Sequence, residues 1–313
     1  MNGLLATLEP LLFIFLSPLL AGWIKWVKCR LQNRRSPSLL QPYRDLAKLF
    51  RKTPVMASHA SWLFEATPYI LFTSMLLAVA IVPSIAVHLP TASIADVIAL
   101  VGFLALGRFF LILAGLDIGT AFGGMGASRE ATIASLAEPA MLMAVFSLAM
   151  SANTTNLAIA IDYVLDSGLV LRPSFVFALA GIVLVAIAET GRVPVDNLAT
   201  HLELTMIHEA MILEYSGRHL ALIEWASQIR LMLFGVLIAN LFFPWGIAET
   251  LSLKALAIGL AAMLGKLMVL GLLLATSEMM LAKMRIFRVQ DYLGFAYLLS
   301  LLGMLSHVIL EVG

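Results

Sequence analysis

Cysteine occurs once, at Cys29, and charged residues make up only 12% of the 313 positions. A single thiol excludes a disulfide framework, and it excludes an iron-sulfur cluster or structural zinc site ligated by cysteines of this chain alone. So little charge excludes an ordinary solvated surface, which needs about a quarter of the residues charged. A net charge of +1 leaves no electrostatic footprint for nucleic acid. Internal repeats, low-complexity tracts and long polar stretches are missing too, so residues 1–313 read as a single polytopic membrane domain.

What is present is hydrocarbon: 61% hydrophobic residues and a mean hydropathy of +0.97. Crossing about 30 Å of lipid takes about 20 helical residues. Apolar runs of that order lie at Leu4 to Ile24, Ala66 to His88, Ile94 to Leu116 and Ala131 to Ala152. Four more lie at Ser174 to Ala188, Ala226 to Ala248, Leu253 to Thr276 and Asp291 to Leu310, the fifth of the eight being short and glycine-containing. Strands are excluded because the runs are continuous rather than alternating, which leaves an all-α integral membrane fold. No basic residue precedes the first run, so it reads as a retained helix rather than a cleaved signal.

The basic residues fix an expected orientation. Lys25, Lys28, Arg30, Arg34, Arg35, Arg44, Lys48, Arg51 and Lys52 follow the first run, and Arg129, Arg192, Arg218, Lys283, Arg285 and Arg288 fall on the same side of an eight-span chain. Only Arg172 and Lys254 fall opposite, while Arg108, Arg230 and Lys266 lie inside spans. The positive-inside rule then puts both termini outside and the large polar connections in the cytoplasm. In the first of these, Tyr43, Leu46, Ala47, Leu49 and Phe50 follow Pro42 on broadly one helical face, which predicts a short interfacial helix.

Chemistry concentrates between Glu189 and Gly217, in ETGRVPVDNLATHLELTMIHEAMILEYSG. Glu189, Asp196, Glu203, Glu209 and Glu214, with His201 and His208, are costly beside lipid, and such groups mark proton, ion or redox-coupled paths. Val193-Pro194-Val195-Asp196-Asn197 predicts an extended break, and Leu198 to Leu213 a return to helix. Glu138 and Arg108 lie within spans. Two roles fit Glu138: a packing partner for Arg108 or another cation, and a proton-relay carboxylate whose affinity burial and a nearby cation tune. Lys266, in mid-span, calls for a carboxylate partner or a hydrated cavity, and Glu278 is a further candidate.

Other chemistries lack their residues. LDIGTAFGGMGASRE is glycine-rich, but a phosphate loop ends in Lys-Ser/Thr after a strand, so its glycines read as a tight path between two helices. His208-Glu209 lacks the second histidine of a zinc-protease helix, that place being Ile212. Neither Ser128 nor Ser216 sits in a nucleophile elbow, so no catalytic residue is assigned.

Eight spans, then RLQNRRSPSLLQPYRDLAKLF, GASRE, ETGRVPVDN and LEYSG in that order, resemble the subunit 1 family of respiratory complex I, the membrane subunit that walls its quinone cavity. FGGMGASRE and VDNLATHLELTMIHEAMILEYSG are more similar to the branch in energy-converting nickel-iron hydrogenases of the formate hydrogenlyase and hydrogenase-4 type. The resemblance implies a subunit that anchors a soluble arm and opens an ion path towards antiporter-like membrane subunits. Glu138, Glu189, Asp196, Glu203 and Glu214 match acidic positions of that path; His201, His208, Glu209, Arg108 and Lys266 join them as candidates. Arg34, Arg35, Arg44, Asp45, Lys48, Arg129, Glu130 and Arg192 are then expected to dock the arm.

The expected partners are hydrogenase large and small subunits and an iron-sulfur subunit, which carry the nickel-iron centre and the iron-sulfur clusters, in a prokaryotic cytoplasmic membrane. Where complex I members carry carboxylates this chain has Ala199 and His201, and its spacer before Glu214 is longer and holds His208 and Glu209. Those departures favour a hydrogenase partner over a quinone cavity. A secondary transporter built around Arg108, Glu138 and Lys266 is the rival from another class; paired repeats and matched broken helices are missing for it.

Overall fold

The computed structural model describes residues 2–311 apart from Ser58, Leu89, residues 168–171 and 197–205, and Glu249. Its helices are α1 (Asn2–Leu31), α2 (Gln41–Phe50), α3 (Trp62–Ile81), α4 (Val97–Asp117), α5 (Ala121–Ser151), α6 (Leu157–Ser167), α7 (Pro173–Glu189), α8 (His208–Ile212), α9 (Gly217–Phe242), α10 (Leu253–Met280) and α11 (Ile286–Ser306). Seven of the apolar helices are long enough to cross a membrane, and α7 is a shorter one of 17 residues. These eight correspond to the eight apolar runs, with the short one fifth.

Helix starts follow from local chemistry. The side chains of Ser61, Asp96, Thr120 and Ser252 accept from the first free amides of α3, α4, α5 and α10, and Pro173 opens α7, where its missing N–H costs no hydrogen bond. The Thr120 cap corrects one expectation. It starts α5 ten residues before Ala131, so Gly123, Gly124 and Gly126 lie in helical turns rather than in a loop. Gly126 is needed for approach: a Cβ there would stand 2.9 Å from both Ala210 Cβ and Ile207 O, so a larger residue would push α8 away. The interfacial helix forms as expected in α2, burying Leu46 and half-burying Tyr43 and Leu49, while Ala47 and Phe50 face outward. The amphipathic α6, an 11-residue helix between α5 and α7, was not expected.

Contacts at the two ends establish the alternating direction of the helices. At the end rich in Lys and Arg, Ser61 N donates to Asp117 Oδ2 (2.9 Å), Lys28 meets Glu278 (2.5 Å) and Lys283 meets Asp196 (2.7 Å). At the other end, Glu9 Oε1 accepts from Ile85 N and Ala86 N (2.9 Å each), and Thr155 Oγ1 donates to Asp96 Oδ2 (2.9 Å). Two-thirds of the most apolar stretch of α9 is buried against 22% for α10, so α9 is the axial helix and α10 lies at the periphery. Helices approach through small residues, as expected where lipid supplies no hydrophobic drive. At Gly303 of α11 a Cβ would lie 3.1 Å from both Ser147 Oγ and Ser174 O.

Candidate functional site

Arg108 is the centre of the buried charge. It sits on α4 beside Gly107, 3% exposed, and its guanidinium is shared by three carboxylates from two other helices. Nε lies 3.2 Å from Glu130 Oε1, Nη1 lies 3.4 Å from Glu138 Oε1, and Nη2 donates to Glu189 Oε2. Glu189 ends α7, where the partial negative charge of the helix terminus disfavours a carboxylate, and Arg108 compensates. One cation facing three carboxylates inside an apolar bundle is a high-stakes arrangement: desolvation is severe and each oxygen depends on the same few donors. The three acids are not equivalent. The side chains of Glu130 and Glu189 are 11% and 3% exposed, whereas that of Glu138 is 32% exposed on α5 and opens the cluster to the outside of the bundle.

A small void joins this cluster to the basic end. About 20 Å³ in volume, room for about one water, it is lined by Glu130, Glu189, Asp196, His208 and Arg230 among others. Asp196, 3% exposed, accepts from Lys283 Nζ at 2.7 Å and from the His208 backbone amide at 3.4 Å. Burial pushes the His208 imidazole below its ordinary range; Glu130 and Asp196 oppose that shift and Arg230 and Arg108 reinforce it. Glu209 beside it is pushed up to about 7, first by burial and then by Glu224 and Asp196.

Beyond Asp196 a second, larger cavity of about 810 Å³ opens among α1, α2, α9 and the ends of α7 and α10. It shares Thr190, Gly191, Asp196 and Ser227 with the small void, so the two spaces adjoin, and Glu130 and Glu189, which border the void, are among the carboxylates that meet Arg108. Arg34, Asp45, Glu224 and the ion-paired set Lys28, Glu278 and Arg192 line it.

The expected residues divide accordingly. Arg108, Glu138 and Glu189 come together in the ion cluster, Glu189, Asp196 and His208 line the small void with Glu209 adjoining, and His201 and Glu203 fall outside the described residues. Glu214 is exposed and lines neither cavity. Lys266 donates to Asn240 Oδ1 (3.4 Å), an amide in place of the carboxylate or hydrated cavity expected for it. Of the docking set, Arg34, Arg35, Arg44, Asp45 and Lys48 are exposed at the basic end. Glu130 is corrected: it is buried against Arg108. Arg129 donates to Met206 O (2.7 Å), and Arg192 is half-buried on Glu278 (3.3 Å). Pro194 sits in a turn rather than an extended break, since Val195 N and Asp196 N both bond Arg192 O. The helix expected over Leu198 to Leu213 is, in its described part, only α8.

Arg230 was missed as a site residue. It is 6% exposed on α9, and its Nε lacks a hydrogen-bond partner among the described residues. Its signal was a lone arginine within a span. Glu130 had a subtler one: Arg108 precedes the turn residue Gly119 by eleven positions and Glu130 follows it by eleven, so an antiparallel helix pair must set them opposite.

The LEYSG stretch has a structural role. Tyr215 stacks on Phe64 with centroids 3.9 Å apart, and its hydroxyl donates to Phe64 O (2.9 Å). Ser216 Oγ accepts from Val55 N (2.8 Å) and donates to Val55 O (2.9 Å). Gly217 has φ +54°, and a Cβ there would lie 2.7 Å from Lys52 O. The motif clamps the 52–56 strap over the start of α9.

Residues 4–309 match the family described as NADH dehydrogenase. The chain belongs to that family. It is 32% identical over 286 residues to formate hydrogenlyase subunit 4 of Escherichia coli (strain K12), covering 91% of this chain and 92% of the relative. It is 33% identical over 293 residues to hydrogenase-4 component C of the same organism, covering 93% and 92%. An NADH-quinone oxidoreductase subunit of Burkholderia vietnamiensis (strain G4 / LMG 22486) is 28% identical over 235 residues, which is 70% of this chain and 64% of the relative. Both hydrogenase relatives are more similar and more fully covered, so the resemblance to the hydrogenase branch holds. A chain of the membrane-bound sulfane sulfur reductase, an archaeal respiratory membrane complex, has the same fold: TM-score 0.79 over 97% of this chain and 98% of that one, at 16% identity.

Proposed function

We propose that this chain is the membrane-anchoring and ion-coupling subunit of an energy-converting hydrogenase in a prokaryotic cytoplasmic membrane. Its basic end docks a soluble arm of hydrogenase large and small subunits and an iron-sulfur subunit, which hold the nickel-iron centre and the clusters. Its buried carboxylates link electron transfer there to proton or sodium movement through antiporter-like membrane subunits. The observation that carries this reading is Arg108, held among Glu130, Glu138 and Glu189, two of which, Glu130 and Glu189, border one small void with Asp196 and His208. A charge change in the docked arm alters proton affinity at His208, whose imidazole burial already pushes down, and at Glu209, whose carboxyl is pushed up to about 7. Arg108 cannot serve three carboxylates equally, so a proton arriving at Glu130 or Glu189 redistributes the guanidinium among the others. Glu138, the most open of the three, is the exit.

Glu138→Gln keeps the shape and removes the charge. In vesicles holding the assembled complex it is expected to abolish ion pumping while hydrogenase activity and subunit composition persist; unchanged pumping removes Glu138 from the path. A second reading, a quinone-cavity subunit, draws on the 810 Å³ cavity and on the similarity to the NADH-quinone oxidoreductase subunit. It requires quinone-dependent turnover, which the hydrogenase reading does not.

A further inference from the structure

The polar cavity has an apolar extension that the coupling role does not use. A groove of about 270 Å³ runs among α1, α7, α9 and α10, walled by side chains such as Leu20, Val183, Phe234, Leu267 and Leu270. Thr190 and Ser277 are its polar members, and both lie towards the basic end. Thr190 and Leu231 belong to the groove and to the 810 Å³ cavity alike, so the two spaces meet there. One residue beyond Ser277, Glu278 is held by two cations, Lys28 at 2.5 Å and Arg192 at 3.3 Å. That group carries one net positive charge on the wall of the cavity that the groove meets. On the membrane side α10 is sparsely covered, with Val269 57% and Leu273 60% exposed, so a chain can enter sideways from lipid.

An apolar slot open to the bilayer and ending at a net cation matches an amphiphile with an anionic head. We propose that this groove is a binding site for an anionic phospholipid of the phosphatidylglycerol type. Its phosphate sits against Lys28 and Arg192, and one acyl chain lies between α7 and α10. Basic pockets between membrane helices at the cytoplasmic side recognise lipid headgroups in this way. A quinone, being neutral, would leave the extra positive charge unanswered. The inference concerns the chain as a membrane subunit and stands whichever redox partner is docked.

The test uses the purified whole complex in nanodiscs doped with phosphatidylglycerol bearing a photoactivatable group on one acyl chain, with the labelled peptides read by mass spectrometry. Labelling is expected on the groove faces of α7 and α10. Excess unlabelled phosphatidylglycerol should compete, whereas phosphatidylcholine should compete about fivefold less well for each of the two cations involved. Lys28→Gln and Arg192→Gln should each erode that preference by about fivefold, and Leu270→Trp, which fills the slot, should remove the groove label. Label spread evenly over the lipid-facing surfaces of α10 and α11 would overturn the proposal. So would a head-group preference unchanged by both charge variants. Displacement by a short-chain quinone but not by phosphatidylglycerol would assign the groove to quinone, and displacement by inorganic phosphate alone would assign the cations to a free anion. Because the competition measurements use the unaltered complex, misfolding of a variant does not shelter the idea.

Discussion

Replacing Arg108 by leucine removes the cation that Glu130, Glu138 and Glu189 share. Taking one partner from a buried ion pair costs about 3–5 kcal/mol, because the remaining charge is left uncompensated, and here as many as three are left close together. Glu189→Leu is expected to cost less, since Arg108 keeps Glu130 and Glu138. The informative variant is the double one. If Arg108 and Glu189 form a coupled pair, Arg108→Leu with Glu189→Leu will be less destabilised than the sum of the singles by about 0.5–3 kcal/mol, the usual range for contacting residues. The assay is the melting temperature of the purified complex in one fixed lipid. With roughly 2–4 °C per kcal/mol for chains of a few hundred residues, the Arg108 single variant should fall by about 10 °C and the double variant should recover part of that. An Arg108→Leu variant melting with the parent, or a double variant that is strictly additive, would refute the shared-cation account.

The remaining predictions concern titration and the clamp on α9. Because burial raises the Glu209 carboxyl to about 7, the folded state holds a proton that the unfolded chain releases near pH 4.5. Between those values stability falls as pH rises, and the loss is complete above about pH 7. Glu209→Gln should flatten that slope, and it should abolish an infrared carboxyl band titrating near pH 7 in the parent complex; a band that survives the substitution belongs to another group. Gly217→Ala puts a side chain at φ +54°, 2.7 Å from Lys52 O. Strain of that kind costs about 1–3 kcal/mol, so the complex should melt earlier and the 52–56 strap should become protease-sensitive; parental melting and resistance would show that the strap is not clamped.

The sequence alone determined the class of the protein, and the reason is solvent. Lipid offers no hydrogen bonds, so continuous apolar runs have to be helices, and the eight runs reappear as α1, α3, α4, α5, α7, α9, α10 and α11. Motif order was legible as well, and it placed the chain in its family and nearer the hydrogenase relatives. Boundaries were less legible where a single capping residue outweighed composition, as Thr120 did in drawing Gly123 to Gly126 into α5. Motif resemblance carried Glu214 into the acidic path, and its surroundings were not legible in that match: the stretch turns, and Glu214 is exposed beside the buried Tyr215.

Only the tertiary structure decided which charges meet. Arg108, Glu138 and Glu189 are distant along the chain, and no periodicity within a helix relates positions on different helices. Their meeting depends on how α4, α5 and α7 cross, and hence on approaches that residues such as Gly107, Gly126 and Gly303 permit. The same packing turned Glu130 from an expected docking residue into the most enclosed neighbour of Arg108 on α5, and brought Arg230 to the small void beside it. The cost of placing charge in hydrocarbon is readable one residue at a time, whereas the partner that offsets it is a property of the folded bundle.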